Sequence, residues 1–393
     1  MKLEHGINLN PQHAQGRPQN AADLQGLTWA RLVFQFAAAG YPDLATAYAF
    51  YDPLIERYNE LGVRTLLVLN QETFWGNGPW SSHEPGEWRT YADQFAGQLE
   101  RIAAHYRGKN VAYEIWNEGD THGESSVFVK PTDYAGVLDK AAAAIRSKDP
   151  QAPIVLGGLA SGTETAIRYV KDLQEALGGE LPMDAIAVHP YGHWPPSGQP
   201  TIPTGWFAPL EPALGRYCDE FAGKPIWVTE IGISEPGGIA PDHWPKVADF
   251  MAETCTLIQE RYTSAIPVLI WFAWSDAMRG AGIVDRDGHP KQPIYEKFFE
   301  MARTLPAELP AAVIPPPTAL TPTDSLRVRA GPGLDHDVID GVSPGDRLSV
   351  EEAWETAWAK LGRNGNWINI RTPRDLVGWS AAWYLKLALD IPD

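Results

Sequence analysis

Two glutamates in this sequence are placed to do chemistry. Glu118 follows the apolar run Ala112–Trp116 in the triplet Trp116-Asn117-Glu118, and Glu230 closes the run Ile226–Glu230. Two carboxyl groups at a common mouth suit cleavage of a glycosidic bond. One protonates the leaving oxygen while the other attacks, or activates water at, the anomeric carbon. The acid must begin protonated, which calls for a raised pKa, and the nucleophile must begin ionised, which a guanidinium or phenol donor favours. Other runs end in polar or aromatic residues of the needed kinds. Arg31 lies in the second run, Asn70-Gln71 ends the third, His189-Pro190-Tyr191 the sixth, and Trp271 and Trp274 precede Asp276 at the eighth.

Several residues compete with that reading. Glu114 lies four residues before Glu118 and is read as a buried partner for Arg31. His189 and His193 lack a third ligand in reach, so no metal is expected. Trp271 and Trp274 point to opposite sides if the strand is regular, and Trp274, nearer the C-terminal end, is expected to line the site. Trp75, Trp80, Trp194, Trp206 and Trp244 stand in connecting segments, as apolar plugs or as sugar platforms. Asp276 and Glu235 are read as loop-stabilising.

These residues need elements to hold them. Eight short β-branched or apolar runs occur before residue 304: Ile7–Leu9, Ala30–Phe36, Thr65–Asn70, Ala112–Trp116, Ile154–Leu159, Ala185–His189, Ile226–Glu230 and Val268–Trp274. Several are apolar throughout, as parallel strands buried on both faces are. Helical patterns lie between them. From Glu84 to Tyr106, Trp88, Tyr91, Phe95, Leu99, Ile102 and Tyr106 recur every three or four residues. A second helix starts near Pro131 and carries Tyr134, Leu138, Ala142 and Ile145. Eight alternating units predict a closed (β/α)₈ barrel over residues 1–303, with a doubly wound sheet as the alternative. In a barrel the site lies at the C-terminal ends of the strands. Six prolines between Thr304 and Thr323 predict an extended linker over 304–323. Residues 324–393 show turn signals between short apolar runs and predict a small all-β module.

Composition narrows the function further. The chain has 393 residues, 44% apolar and 21% charged, with a formal charge of −17. That charge excludes a basic footprint for nucleic acid or an anionic membrane surface. No apolar run is long enough to span a membrane. Met1–Asn10 lacks the pattern of a secretory leader. Trp (16) outnumbers Tyr (14) and Phe (12), as in proteins that stack rings on sugars or pack them in a core. Cys218 and Cys255 are too few for a disulfide scaffold or a zinc site, though they leave one disulfide open.

The Trp116-Asn117-Glu118 triplet after strand four, His189-Pro190-Tyr191 after strand six and Glu230 closing strand seven resemble the retaining glycoside hydrolases of clan A. The likeness covers roughly residues 3–303. Family 5 usually carries His at the end of strand three, where Asn70-Gln71 stands here. The run Glu114–Glu118 is similar to family 39. The resemblance implies Glu118 as acid/base, Glu230 as nucleophile, Asn117 at the sugar 2-hydroxyl and Tyr191 as a donor to the nucleophile. It also implies His189 on the acid/base side, Arg31 under the nucleophile and Trp274 as the sugar platform. It implies no cofactor.

Leu326 to Gly333, Val338-Ile339, Gly345-Asp346, Asn366-Trp367-Ile368, Gly378-Trp379 and Trp383-Tyr384-Leu385 are similar to bacterial SH3-like domains. That likeness implies cell-wall contact or a packing role, and an extracellular or cell-surface bacterial protein. The expected function is retaining cleavage of a β-linked polysaccharide, endo-acting because the Trp-bearing segments after strands three and six are long. The alternatives are an exo-acting β-glycosidase and a non-catalytic carbohydrate or cell-wall binding protein.

Overall fold

The computed structural model describes all residues except 1, 14, 37–40, 42, 75–84, 123–125, 194–203, 206–209, 234–237, 304–318, 354–355, 358–359, 362, 364 and 388–393. The chain divides into two compact units, residues 1–306 and 307–393. In the first, eight parallel strands close a barrel: β1 (Glu4–Asn8), β2 (Trp29–Val33), β3 (Arg64–Leu69), β4 (Val111–Ile115), β5 (Ile154–Leu159), β6 (Ala185–Val188), β7 (Ile226–Ile231) and β8 (Val268–Trp271). They pair in sequence order, and β1 closes on β8. All eight expected runs are therefore strands of one barrel. A short antiparallel ribbon, Gly192–His193 with Thr204–Gly205, follows β6.

Among the described residues seven α-helices pack outside: α1 (Leu44–Glu60), α2 (Pro85–Tyr106), α3 (Pro131–Lys148), α4 (Thr163–Leu177), α5 (Leu210–Glu220), α6 (Trp244–Leu257) and α7 (Ile294–Arg303). The whole aromatic and aliphatic stripe of α2 is buried against the barrel. Pro131 opens α3, where its missing N–H costs nothing. Between β1 and β2 the described residues of the connection form a 3₁₀ turn, Ala21–Leu24, capped by Asn20. Pro11, Gly16, Pro18 and Gly26 break the helical pattern there. Among the described residues no helix is long and apolar enough to cross a membrane.

The barrel has two apolar layers. Its base is plugged by Trp29, Leu66, Ala112, Val155, Ala185, Ala187, Trp227, Val268 and Ile270, with the Trp29 and Trp227 rings 5.0 Å apart. The alternate strand residues face the helices. Inward residues two positions further on reach the mouth, and there the pattern turns polar.

In the second unit, strands β9 (Ala319–Pro322), β10 (Leu326–Arg329), β11 (Val338–Val342), β12 (Leu348–Val350), β13 (Trp367–Arg371), β14 (Val377–Ala381) and β15 (Leu385–Leu387) form an antiparallel sheet. Their order is β11-β10-β14-β13-β12-β9-β15. Val328, Leu348, Ile368, Ile370 and Leu385 belong to its own buried core. Residues 319–322, expected in the linker, pair as a strand with β12 and β15. Residues 304–318 of that linker lie outside the described residues. Cys218 and Cys255 are both free thiols, so the disulfide does not form. Burial pushes them up to about 11 and about 12.

Candidate active site

Period-two alternation places much of the site. Two residues beyond the basal plug on the same inward face stand Arg31 (from Trp29), Glu114 (from Ala112), His189 (from Ala187), Thr229 (from Trp227) and Phe272 (from Ile270). Glu230 breaks this rule, since alternation would send it outward. The pairing of β7 with β8 shifts register between Val228↔Leu269 and Ile231↔Trp271, so β7 carries one additional residue. Such an irregularity re-aims a side chain, and both Thr229 and Glu230 contact the site.

Arg31 is the hub. It is 3% exposed and donates to Glu114 Oε2 (2.6 Å) and Oε1 (3.0 Å), Glu230 Oε1 (2.5 Å), Asn8 Oδ1 (2.7 Å) and Asn117 Oδ1 (2.8 Å). Glu114 is thus the buried partner of Arg31, and it also accepts from the Gly158 amide (3.0 Å) and Thr229 Oγ1 (3.3 Å). Asn8 is fixed in turn by donating to the Thr229 and Trp271 carbonyls.

Glu230 accepts from Arg31 and from the Tyr191 hydroxyl. Burial alone would raise its pKa, but His189, Arg31 and Tyr191 together hold it below the ordinary value of 4.5. Burial and the neighbouring Glu230 keep the Tyr191 phenol far above its usual range, so it stays a donor. His189 Nδ1 lies 3.0 Å from Glu118 Oε1, and Nε2 lies 3.0 Å from Thr229 Oγ1. Burial would lower the imidazole pKa, yet Glu230 and Glu118 outweigh it and raise the pKa above 6.5.

Glu118 reaches the mouth through a turn of unusual backbone. Trp116 has φ +75° and Glu118 φ +51°, a left-handed region that costs a non-glycine residue about 1–3 kcal/mol. Packing holds the turn. The Trp116 ring is buried among Trp88, Tyr91 and Phe95, and its Nε1 donates to Val127 O (2.9 Å). One side-chain atom from each of Glu118, His189 and Glu230 lies within 4.8 Å of the other two. Those three could pass for metal ligands. However, a guanidinium and a phenol already occupy Glu230, and both His189 nitrogens have partners. The donor set suits a protonated network better than a cation.

The structure brings together Arg31, Asn117, Glu118, His189, Tyr191 and Glu230. Trp274 does not join them. Alternation reaches Phe272, one residue past the end of the strand at Trp271, but does not carry on to Trp274. The Trp274 ring is 5% exposed and packs edge-on against Tyr295 of α7. Trp271 packs outward against Phe250. Half-buried Phe272, between them, faces the site with its ring 6.0 Å from Tyr191. Asp276 pairs with buried Lys291 (2.7 Å) and accepts from the Gly282 amide, which is the loop-stabilising role expected of it. Trp244 donates to Ile239 O and packs on the core. Trp75, Trp80, Trp194, Trp206, Glu235 and the side chain of His193 lie outside the described residues. Asn70 is buried and caps its own turn by accepting from the Glu72 amide.

Asn8, Gly158 and Phe272 are not singled out by the sequence. Gly158 is needed because a Cβ there would lie 1.9 Å from His189 Nε2. The signals were present: a polar residue ending β1, and paired glycines inside an apolar run.

The model of the cellulase family (glycosyl hydrolase family 5) matches residues 26–276, and that of the bacterial SH3 domain matches residues 324–386. No curated protein sequence matches the chain. Among solved structures, a family 39 glycoside hydrolase from the gut symbiont Bacteroides cellulosilyticus WH2 is similar. It has 17% identity and a TM-score of 0.58, covering 95% of this chain and 71% of that one. An endo-β-1,3-glucanase of family GH128 (subgroup II) from Sorangium cellulosum has 16% identity and a TM-score of 0.51, over 78% and 100% of the two chains. A family 1 β-glucosidase from Thermotoga maritima has 13% identity and a TM-score of 0.55, over 77% and 98%. At these identities the likeness is one of fold.

Proposed function

Because the chain belongs to the cellulase family, glycosyl hydrolase family 5, we propose that it is a retaining, endo-acting β-glycanase. In this reading Glu230 is the nucleophile and Glu118 the acid/base. The observation that carries it is the approach of the two carboxyl groups, oxygen to oxygen, within 4.8 Å. Retaining pairs stand about 5–5.5 Å apart, whereas inverting pairs need about 6.5–9.5 Å to admit a water.

In the first step Glu118 gives its proton to the glycosidic oxygen as Glu230 attacks the anomeric carbon. The bond to the leaving sugar breaks and a glycosyl ester forms on Glu230. In the second step Glu118, now a carboxylate, takes a proton from water. That water attacks the anomeric carbon and Glu230 departs as a carboxylate. Arg31 and Tyr191 keep Glu230 ionised at the start and stabilise it on departure. Arg31 fixes the Asn117 carbonyl end, which leaves the amide N–H group to meet the sugar 2-hydroxyl. Phe272 supplies the apolar platform in place of Trp274. Both steps use only these side chains and water.

Endo action is supported by the length of the connections after β3 and β6. In this reading the SH3 module makes cell-wall contact and the enzyme works outside the cytoplasm.

The test is a hydrolysis screen on β-glucans, mannans, xylans and bacterial exopolysaccharides, with Glu230→Gln as control. Oligomers released by the wild type and lost in the variant are expected. Monosaccharide release would turn the reading to an exo-glycosidase. Binding without any release would turn it to a non-catalytic carbohydrate protein.

A further inference from the structure

Asp120 lies two residues after Glu118, is 6% exposed and takes no direct part in the steps above. Its carboxylate accepts at both oxygens. Oδ2 accepts from Ser161 Oγ (2.5 Å) and the Ser161 amide (2.9 Å), and Oδ1 accepts from the Ala160 amide (3.1 Å). These donors belong to the segment joining β5 to α4. A carboxylate two residues from the acid/base therefore ties the β4 turn to the next strand's connection.

The tie matters because of what it closes. Below the turn, the Glu118 amide donates to Gly158 O of β5 (2.9 Å). On the outer side, the Gly119 carbonyl accepts from Val129 N (2.9 Å) and Tyr169 Oη (3.1 Å). Asp120 supplies the third anchor, and Glu118 lies inside the frame with its backbone at φ +51°. From there its Oε1 meets His189 Nδ1 at 3.0 Å. A residue in that conformation persists only while its surroundings over-determine it.

We propose that Asp120 is a positioning residue for the acid/base. Through Ala160 and Ser161 it holds the β4 turn so that Glu118 points at the glycosidic oxygen with its bond to His189 intact. The inference rests on the reading of Glu118 as acid/base. No proton or electron passes through Asp120.

The experiment compares wild type, Asp120→Asn, Ser161→Ala and Glu118→Ala as full chains. Rates are measured on aryl β-cellobiosides, once with a 2,4-dinitrophenolate leaving group, which needs no proton, and once with a phenolate, which does. The His189 imidazole resonances are followed by ¹H–¹⁵N NMR. Asp120→Asn is expected to lose about 10- to 100-fold on the phenyl substrate, part of the 10²–10⁴ a general acid contributes. It should keep its rate of glycosylation by the dinitrophenyl substrate and show displaced His189 signals. Ser161→Ala, which removes one hydroxyl bond, should move the same way by less, and it carries the test if Asp120→Asn does not fold.

Equal losses on both substrates, or unmoved His189 signals in both folded variants, would overturn the inference. The NMR readout decides it even if neither aryl glycoside is turned over. Glu118→Ala separates the two claims. If azide does not rescue it and its losses ignore the leaving group, the acid/base assignment fails, whatever Asp120 does.

Discussion

At the residue scale the site is an ionic cluster built on Arg31. One guanidinium serves two carboxylates, and its removal would leave Glu114 buried without a cation and Glu230 with His189 alone as its cation. Arg31→Met should therefore cost about 3–5 kcal/mol in urea unfolding. It should also move the acidic limb of kcat/KM to higher pH, because Glu230 loses one of the groups holding it below 4.5. A limb that stays put would assign the low value to His189 and Tyr191 instead. Glu230, with its lowered value, contributes stability above 4.5 that is lost as pH falls through its folded value. His189, raised above 6.5, contributes below 6.5, and that is lost as pH rises through its folded value. The gap in Tm between wild type and His189→Gln should consequently narrow on going from about pH 6 to about pH 9. A gap independent of pH would mean that His189 stabilises by packing alone.

At the element scale the strands do more than carry residues. Arg31, Glu114, His189 and Thr229 follow from alternation, and each was within reach of a reader counting by twos. Glu230 is legible as the polar end of an apolar run, yet its inward aim comes from the additional residue in β7. Phe272 is masked in the sequence by two neighbouring tryptophans, whose larger rings are the more obvious platform. Both are instead consumed by packing against α6 and α7. The pairing of β5 with β6 shifts in the same way between Leu156 and Leu159, across Gly157 and Gly158. Gly158→Ala should displace His189 and reduce kcat/KM by about 10²-fold, the cost of misplacing a group by roughly 1 Å. Full activity in that variant would show that His189 has room to retreat without consequence. Trp116→Ala should cost about 3–5 kcal/mol, since a buried ring that braces the Glu118 turn is lost.

At the scale of the whole molecule, two units each have their own core. Calorimetry of the full chain should accordingly show two unfolding transitions rather than one. A single two-state transition would mean that the units unfold together. Cell-wall contact by the SH3 module is tested by co-sedimentation with insoluble peptidoglycan. The full chain should pellet and a chain ending at residue 306 should not. Equal behaviour of the two would leave the module a packing role.

The sequence by itself determined the barrel, the second module and the two glutamates. Buried parallel strands are written as apolar runs, and chemistry at their ends as polar interruptions. It also determined the pairing of Arg31 with Glu114, because a buried charge demands a partner. The tertiary structure alone decided which ring meets the site, which way Glu230 points and what anchors Glu118. Those depend on register shifts, left-handed turns and contacts between residues as distant as Asp120 and Ser161, or Arg31 and Glu230. Local pattern does not encode such terms, because the backbone adopts them only when several strands pack around them at once.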